Sequence, residues 1–397
     1  MAPPTPPNLA LPILDEAEAV HAAPHVAEDV GAPGSGRVRF VTFGCKANQY
    51  DTQVLREALL RRGWAETGAG QARTEGPPPD VLVVNTCTVT AEAGRKARQL
   101  IRRVSREAPE ARIAVTGCLA ESEPELLREL PGVEWVFGNG EAKLPARFLE
   151  TLTGEAISPE ELGVPAGITE FAGHTRAFLK IQDGCDKRCA FCIIPSVRGA
   201  SRSRPIPELV AEVRRLVQAG HREVVLCGIH IGLWGVDLAP DASLADLVGA
   251  LATVEVAGPD GAPVAWRLRL SSIEATEVDE PLLAHMAAAP ERIAPHLHMP
   301  MQSGSDGVLR AMNRWYTVDE YLAAVERIQR TLDLPALSAD ILVGFPGEGD
   351  AEFAETAETI RRIGFSRMHV FPFSPRPGTA AEGLCDELGR PDPMAVR

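Results

Sequence analysis

The chain has 397 residues, of which 45% are hydrophobic and 24% are charged, a composition that is ordinary for a soluble globular protein of two or three domains. Its formal net charge of -14 at pH 7 argues against a protein that coats nucleic acid indiscriminately, so any RNA contact must come from a local basic patch. No apolar run is long enough to cross a bilayer, and no secretory signal is present. These features predict a cytoplasmic protein. Its eight cysteines are then expected to be reduced thiols that bind metal or take part in catalysis.

The chain begins with a Pro- and Ala-rich stretch that has no sustained hydrophobic period. Residues 1–36 are therefore predicted to form a disordered leader. Over residues 37–150 strand-like and helix-like segments alternate, which predicts a parallel sheet covered by helices on both faces. The predicted strands are at residues 38–43, 80–84 and 111–115, and the predicted helices are at 49–62, 92–106 and 123–130.

Each of these three predicted strands is followed by a cysteine, namely Cys45, Cys87 and Cys118. Because parallel strands end at one edge of a sheet, where such folds place their ligands, we expect the three thiols to converge. Gly44 and Gly117 precede two of them and would let the backbone approach a bulky group closely. A cysteine often ends a buried strand as a small hydrophobe, but three at equivalent strand ends predict an iron–sulfur cluster with one open iron.

Basic residues crowd the helix predicted after Cys87, and a second basic group lies near residue 200. A solvated helix face is the commoner meaning of such a run. Against the acidic total, however, two cationic regions could hold a phosphate backbone while one nucleotide enters the site. The predicted RNA-binding residues are Arg95, Lys96, Arg98, Arg102, Arg198 and Arg202.

Three further cysteines, Cys185, Cys189 and Cys192, lie four and then three residues apart, directly after a strand-like run. A cubane iron–sulfur cluster has four irons, each wanting one outer ligand, and Cys thiolates are the usual supply. Three cysteines leave one iron open, and an open metal position is where a substrate or cofactor binds. The amino and carboxylate groups of S-adenosylmethionine can chelate such an iron, and electron transfer then splits its sulfonium to give a carbon radical.

Zinc is the alternative occupant of both cysteine sets, and it would make the chain a structural or nucleic-acid-binding protein. Structural zinc sites are closed by four ligands and favour two-residue gaps between paired cysteines. The central gaps are three and two residues, and His174, the nearest candidate for a fourth ligand, lies ahead of the strand. Ligand count and spacing therefore favour the cluster over zinc.

A linker is predicted at residues 151–172, and strand and helix patterns then alternate again over residues 173–385, followed by a tail at 386–397. Six such units in a row predict an incomplete β/α barrel. The predicted strands are at residues 177–182, 223–228, 267–271, 296–301, 338–343 and 368–373. Gly228, Glu274 and Gln302 follow three of these strands, at the edge where barrels build their sites, and are predicted to contact S-adenosylmethionine.

Together these motifs resemble the radical S-adenosylmethionine methylthiotransferases over about residues 38 to 379. The segments that carry the resemblance surround the six cysteines and follow two barrel strands: 42–50 (TFGCKANQY), 85–90 (NTCTVT), 116–118 (TGC), 184–199, 300–305 (PMQSGS) and 343–348 (VGFPGE). Within the family, the first two segments and residues 370–379 (VFPFSPRPGT) are most similar to the branch that adds a methylthio group to C2 of N6-threonylcarbamoyladenosine at tRNA position 37. The branch that acts on isopentenyladenosine is the alternative.

The resemblance implies a fold, cofactors and partners. We expect a flavodoxin-like parallel α/β domain, then a partial (β/α)6 radical S-adenosylmethionine barrel, with two [4Fe–4S] clusters and S-adenosylmethionine. One S-adenosylmethionine would methylate a sulfur on the first cluster, and a second would give the radical that activates C2 of adenine. The expected partners are the tRNA anticodon loop and a reductant such as flavodoxin or ferredoxin, and the protein is expected to be a monomer. Family members usually continue into a small RNA-binding TRAM β-barrel, which is not expected within these 397 residues.

Overall fold

The computed structural model describes residues 36–68, 78–163, 166–171 and 173–388. The predicted leader lies outside these residues up to position 35, and the predicted tail lies outside them from position 389 onward. Among the described residues, no helix has both the length and the apolar character needed to span a membrane.

The first domain is built on a five-stranded parallel sheet. Its strands are β1 (Arg37–Thr42), β2 (Ala65–Glu66), β3 (Val81–Thr86), β4 (Arg112–Gly117) and β5 (Val133–Phe137). Its helices are α1 (Lys46–Arg61), α2 (Ala91–Glu107), α3 (Cys118–Ser122), α4 (Pro124–Arg128), α5 (Pro145–Thr153) and α6 (Pro159–Leu162). The strand order is β2-β1-β3-β4-β5, with every pair parallel, which is the flavodoxin-like order that we expected.

Two apolar layers hold this sheet between its helices. Alternate residues of β3 contribute to each, since Val81 and Val83 pack on one face while Leu82 and Val84 pack on the other. All six β3 residues are buried, as is typical of a central strand in a parallel sheet. On the second face α2 buries Ile101, and its N-terminus is capped by the Thr90 side chain, which accepts a hydrogen bond from Ala93 N at 3.2 Å.

The second domain alternates strands and helices. Its strands are β6 (Ala177–Lys180), β7 (Gln182–Asp183), β8 (Arg202–Ser203), β9 (Glu223–Cys227), β10 (Arg267–Leu270), β11 (His296–His298), β12 (Ala336–Val343) and β13 (Arg367–Pro372). Its helices are α7 (Ile194–Arg198), α8 (Ile206–Gln218), α9 (Leu244–Ala252), α10 (Glu280–Ala288), α11 (Asp306–Ala311), α12 (Val318–Thr331), α13 (Asp350–Ile363) and α14 (Ala380–Leu388).

Six of these strands form the partial barrel predicted from the sequence. They pair in parallel as β6-β9-β10 and β11-β12-β13. Single parallel bridges from Leu268 to Ile293 and from Ser272 to His298 continue the curved sheet from β10 to β11. No pairing joins β6 to β13 among the described residues, so the barrel is open along one side.

The two faces of the barrel strands differ in chemistry. Leu179, Val224 and Leu268 belong to the large apolar core that packs the strands against the surrounding helices. Because side chains alternate along a strand, Lys180 and Arg269 point to the opposite, inner face. The inner face therefore carries charged side chains beside apolar ones such as Val225. Helix α1 of the first domain packs against β6 at the open side of the barrel.

The cluster sites and their surroundings

The cysteines Cys45, Cys87 and Cys118, called the first trio below, converge at the carboxyl edge of the first sheet. Cys45 precedes α1, Cys87 follows β3, and Cys118 begins α3 directly after β4. Cys87 lies so close to the loop of Cys45 that a Cβ added at Gly44 would stand 3.0 Å from its sulfur. Gly44 has a φ of +98°, so this position is suited to glycine. The predicted convergence of the three strand ends is therefore present in the structure.

A network of hydrogen bonds fixes the three loops that carry these cysteines. The Asn48 side chain donates to Phe43 O at 2.8 Å and to Thr86 O at 2.9 Å, which joins the loop of Cys45 to that of Cys87. The Thr86 hydroxyl donates to Thr116 O at 2.6 Å, which joins the loop of Cys87 to that of Cys118. Gly117, with a φ of +95°, leaves room for these contacts.

The cysteines Cys185, Cys189 and Cys192, called the central trio below, lie in the loop between β7 and α7. The loop is closed by backbone hydrogen bonds from Cys185 N to Gly199 O and from Cys192 N to Cys189 O, both at 3.0 Å. Arg314 Nη1 donates to Cys189 Sγ at 3.3 Å, and its guanidinium is also ion-paired with Glu274. Such a donor stabilises sulfur in its anionic form, as a metal ligand requires.

His230 approaches the remaining side of the central trio. Its Nδ1 lies 3.5 Å from Cys185 Sγ, and its Nε2 lies 2.8 Å from the Glu277 carboxylate. Burial would lower the pKa of His230, but its contacts with Cys185 and Glu277 outweigh burial and raise it to about 9. His230 thus presents an N–H to a sulfur, as Arg314 does on the other side.

The donor chemistry of both trios fits a cluster. Burial, with a smaller contribution from the neighbouring thiols Cys118 and Cys45, raises the pKa of Cys87 to about 11. Burial likewise raises the pKa of Cys192 to about 12, with Cys189 and Cys185 adding to it. Buried thiols of this kind ionise when a metal binds them, because the metal supplies the compensating charge.

The spacing of the sulfurs favours a cluster over a single zinc ion. Tetrahedral zinc with bonds of about 2.3 Å needs its sulfurs about 3.8 Å apart. Among the described residues, which include all six cysteines, neither trio has its three sulfurs within 4.8 Å of one another. A larger inorganic core is the better match to each trio.

The two trios lie next to each other across the domain junction. Helix α3, which begins at Cys118, packs against α7, which begins two residues after Cys192. Asn139 Nδ2 donates to Val197 O at 2.9 Å, and Arg198 Nη2 donates to Asn48 Oδ1 at 2.5 Å, so each trio's supporting residues contact the other domain.

A buried ion cluster, formed by Asp51, Lys143, Lys180, Asp183 and Arg198, lies at this junction. Lys143 Nζ is 2.8 Å from the Asp51 carboxylate, Lys180 is also ion-paired with Asp51, and Arg198 lies 2.7 Å from Asp183. Burial would raise the pKa of Asp51, but the three cations outweigh it and hold that pKa well below its usual value. Two carboxylates thus compensate three cations away from water.

The three residues predicted to contact S-adenosylmethionine differ in their surroundings. Gly228 follows β9 and has no room for a side chain, since an added Cβ would lie 2.9 Å from Gln182 O. Glu274 lies near the central trio, because its partner Arg314 also contacts Cys189. Gln302 has a φ of +64°, an uncommon backbone conformation for a side chain of this size, and its N–H donates to Asp340 O.

A second polar group, formed by His298, Asp340 and His369, lies on the inner face of the barrel. His298 Nε2 is 3.2 Å from Asp340 Oδ2, and His369 Nδ1 is 3.1 Å from Asp340 Oδ1. The donor atoms of the three residues all lie within 4.8 Å of one another. Ser338 Oγ lies 3.0 Å from His298 Nδ1, so this region of the barrel offers several hydrogen-bonding groups.

The residues predicted to bind RNA are divided by the structure. Arg95 is ion-paired with Glu92 on the exposed face of α2, and Lys96 lies 3.7 Å from the same carboxylate. Arg98 and Arg102 line a groove between α2 and α4. The prediction does not hold for Arg198, because its side chain is 1% exposed within the ion cluster and cannot reach RNA. Arg202 lies exposed in β8.

Sequence reasoning missed His230, Arg314 and Asp51. His230 follows β9 at the carboxyl edge of the barrel, so its position was a usable signal. Arg314 lies beyond α11, and Asp51 lies inside α1. Nothing in their local sequence indicates that they contact groups more than a hundred residues away.

Comparison with known families supports both domains. Residues 37–138 match the family described as Uncharacterized protein family UPF0004, and residues 179–360 match the Radical SAM superfamily. The first match contains Cys45, Cys87 and Cys118, and the second contains the central trio.

Several curated proteins are similar over most of the chain. Threonylcarbamoyladenosine tRNA methylthiotransferase MtaB of Bacillus subtilis is 38% identical over 88% of this chain and 76% of its own length. The protein of the same name from Thermotoga maritima is 36% identical over 87% of this chain and 77% of its own length. That of Aquifex aeolicus is 36% identical over 89% of this chain and 84% of its own length.

Solved structures share the fold at low sequence identity. The radical S-adenosylmethionine methyltransferase TsrM of Kitasatospora setae, with cobalamin and a [4Fe–4S] cluster bound, has a TM-score of 0.63 and 15% identity, covering 87% of this chain and 76% of that one. The cobalamin-dependent radical enzyme OxsB has a TM-score of 0.58 and 14% identity, covering 90% of this chain and 57% of that one. These likenesses confirm the predicted order of a parallel α/β domain followed by a radical S-adenosylmethionine domain.

Proposed function

The chain belongs to the radical S-adenosylmethionine methylthiotransferase family, a family that uses S-adenosylmethionine and [4Fe–4S] clusters, and on that premise we propose that it adds a methylthio group to C2 of N6-threonylcarbamoyladenosine at position 37 of tRNA. The observation that carries the proposal is the pair of cysteine trios side by side, with α3 packed on α7. The curated relatives carry this substrate in their names.

In this proposal Cys45, Cys87 and Cys118 hold one [4Fe–4S] cluster and the central trio holds the other. When bound, these groups and S-adenosylmethionine supply the sulfur and the radical that the reaction needs, because an unactivated aromatic C–H does not yield to a polar nucleophile. Arg314 donates to Cys189 Sγ, and His230 lies against Cys185 Sγ, so each orients and stabilises a thiolate of the central trio.

The chain's own residues then position the partners. Gly228 lets the backbone after β9 approach a ligand closely. Glu274 places a carboxylate beside the central trio, where it would accept a hydrogen bond from the amino group of S-adenosylmethionine. The ion cluster around Asp51 fixes the distance between the trios. Helix α1 of the first domain packs against β6 at the open side of the barrel, so the two domains are in direct contact beside the trios.

The polar inner face supports threonylcarbamoyladenosine over isopentenyladenosine. The threonylcarbamoyl substituent carries a carboxylate, a hydroxyl and amide groups, whereas the isopentenyl substituent is hydrocarbon. His298, Ser338 and His369 offer hydrogen-bonding atoms on this face. The polar atoms of a threonylcarbamoyl substituent could form hydrogen bonds with these groups, whereas a hydrocarbon chain could form none.

The partners follow from the chemistry of the proposed reaction. The tRNA presents its anticodon loop, and with it the nucleotide at position 37, to the junction of the two domains. A one-electron reductant such as flavodoxin or ferredoxin supplies the electrons, and the enzyme acts as a monomer in the cytoplasm, where tRNA is modified.

The proposal is tested by mass spectrometry of tRNA nucleosides from cells that lack the protein. We expect the methylthio form of N6-threonylcarbamoyladenosine to disappear and to return when the parent protein is expressed, but not when the Cys185→Ala variant is expressed. Loss of the methylthio form of isopentenyladenosine instead would assign the other branch of the family. An unchanged nucleoside profile would contradict both assignments.

A further inference from the structure

A groove of about 450 Å³ lies on the first domain beside the first trio, and one arginine from the second domain enters it. Arg98 and Arg102 of α2 form one wall, and Leu119, next to Cys118, lies at its base. Arg376, which follows β13, reaches the groove from the other domain. We call this the arginine groove.

Arg376 is a buried cation without an anionic partner in the described part of the chain. It is 8% exposed, and no carboxylate oxygen among those residues lies within 4.0 Å of its guanidinium. Its Nε has no hydrogen-bond partner, and its Nη2 has only a 3.5 Å contact to the Ser374 hydroxyl. Burial lowers the pKa of Arg376, and the nearby Glu123 carboxylate offsets this effect only in part. A buried cation without a compensating negative charge destabilises the folded protein, so an anion bound at this site would stabilise it.

The other charges of the groove leave a positive excess. Glu123 and Glu129 line it together with Arg98, Arg102 and Arg376, which makes three cations against two carboxylates. Glu123 is engaged only loosely, at 3.5 Å from Arg98. Arg102 makes no ion pair with any described residue. Two arginines are thus free to donate to one group from two domains.

Planar guanidinium groups with several donors match the oxygens of a phosphate. The groove is open to solvent at the surface, and Leu119 at its base is the residue after Cys118 of the first trio. An RNA backbone laid there would pass beside the trios, as it must when a nearby nucleotide is turned out of the loop into the site. We propose that the arginine groove binds a backbone phosphate of the substrate RNA through Arg376 and Arg102, an inference that rests on the proposed function.

The test is binding of an anticodon stem-loop RNA to the full-length protein after anaerobic cluster reconstitution, measured by fluorescence anisotropy over a range of salt concentrations. Arg376→Gln and Arg102→Gln should each weaken binding about tenfold at fixed salt, the value of one charge-assisted contact. Each should also reduce the slope of log affinity against log salt by about one. Arg376→Lys keeps the positive charge but loses the planar guanidinium with its paired N–H donors. It should retain most of the salt-dependence slope and lose part of the RNA affinity.

Arg330→Gln is the matched control, because it removes one exposed positive charge from α12, where Arg330 is ion-paired with Glu326. It should change RNA affinity less than twofold. Iron content and thermal unfolding of each variant report whether the fold and the clusters are intact.

Four outcomes would overturn the inference. The first is unchanged affinity and slope in both groove variants, and the second is an equal loss in Arg330→Gln. The third is normal RNA binding by Arg376→Gln together with a changed iron content, since Arg376 would then compensate the cysteine site itself. Failure of the proposed function is read separately, from the nucleoside profile, and does not depend on these affinities. If the parent protein does not bind the stem-loop at all, the groove inference fails as well.

Discussion

Arg198 Nη2 lies 3.3 Å from Asp51 Oδ2, with both side chains buried at the domain junction. Arg198 ends α7, which follows the central trio, and Asp51 lies in the second turn of α1, which follows Cys45. One ion pair therefore connects the segments that carry both sets of cysteines. The separation of the trios depends on this contact and on the cations beside it.

Asp51→Asn should destabilise the protein strongly. The change keeps the shape of the side chain but leaves Lys143, Lys180 and Arg198 with Asp183 as their only carboxylate in the cluster. Removing one partner from a buried ion cluster costs about 3–5 kcal/mol. Urea unfolding measures the loss, and Glu358→Gln, which breaks an exposed pair with Arg361, should cost less than about 1 kcal/mol. Equal effects of the two changes would contradict a structural role for the cluster.

The same carboxylate should make stability depend on pH in the acid range. Because the pKa of Asp51 is lower in the folded protein than its ordinary value of 3.8, its contribution is complete above that value and is lost as pH falls through the folded pKa. The difference in unfolding free energy between parent and Asp51→Asn should be constant above about pH 5 and shrink below about pH 4. Acid loss of the clusters affects both proteins and cancels in this difference. A difference that grows as the pH falls would show the opposite sign and contradict the assignment.

Iron content should divide equally between the two trios. Changing Cys45, Cys87 and Cys118 together to Ala should lower iron and acid-labile sulfide by about half after anaerobic reconstitution, and changing the central trio should remove the other half. Cys227→Ala is the control, because Cys227 is 1% exposed within β9 and belongs to neither trio. Zinc in place of iron, or unchanged iron in the first triple variant, would refute two clusters.

Gly117→Ala should abolish cluster binding at the first trio, whereas Gly154→Ala should be tolerated. Both glycines have positive φ values, of +95° and +75°. A Cβ at Gly117 would stand 2.3 Å from Asn85 Oδ1 and from Thr86 O, whereas a Cβ at Gly154 would meet nothing within 4 Å. We expect a loss of about 3 kcal/mol or more and of half the iron for the first change, and about 1 kcal/mol with full iron for the second. Thermal unfolding and iron analysis distinguish the two.

Asp340→Asn should weaken the use of tRNA without weakening S-adenosylmethionine binding. Burial would raise the pKa of Asp340, but its hydrogen bonds with His298 and His369 outweigh it and lower that pKa, so the carboxylate orders both rings. With the rings released, kcat/KM for tRNA should fall about tenfold, the value of one or two hydrogen bonds. Equilibrium binding of S-adenosylmethionine is the control measurement, and an equal loss there would mean that the residue serves the cofactor.

Much of the fold could be predicted because its signals are local. Nine strands lie within a few residues of the predicted segments, namely β1, β3, β4 and the six barrel strands. Each is a short apolar run flanked by polar residues or glycine. β2 and β5 were missed: β2 has only two residues, and β5 is a short edge strand with an exposed Glu134. The convergence of Cys45, Cys87 and Cys118 was predictable from the rule that parallel strands end at one edge.

The junction between the domains could not be predicted in the same way. Arg198 was expected at RNA because a basic residue after a cysteine motif has the same local sequence whether it faces solvent or a carboxylate. Its burial depends on Asn48 and Asp51, which lie 150 and 147 residues away. Side-chain partners at that distance follow from the packing of two domains, and no local pattern encodes that packing.

The long sequence separation within the ion cluster has a consequence for how the protein is made. While the ribosome is still translating, α1 emerges with Asp51 well before its partners Lys180 and Arg198, which are 129 and 147 residues downstream. The nascent first domain can therefore pair Asp51 with Lys143 alone, and the contacts with Lys180 and Arg198 form later. All three thiols of the first trio are likewise made before Lys180 and Arg198, so insertion of metal at these thiols can precede docking of the second domain.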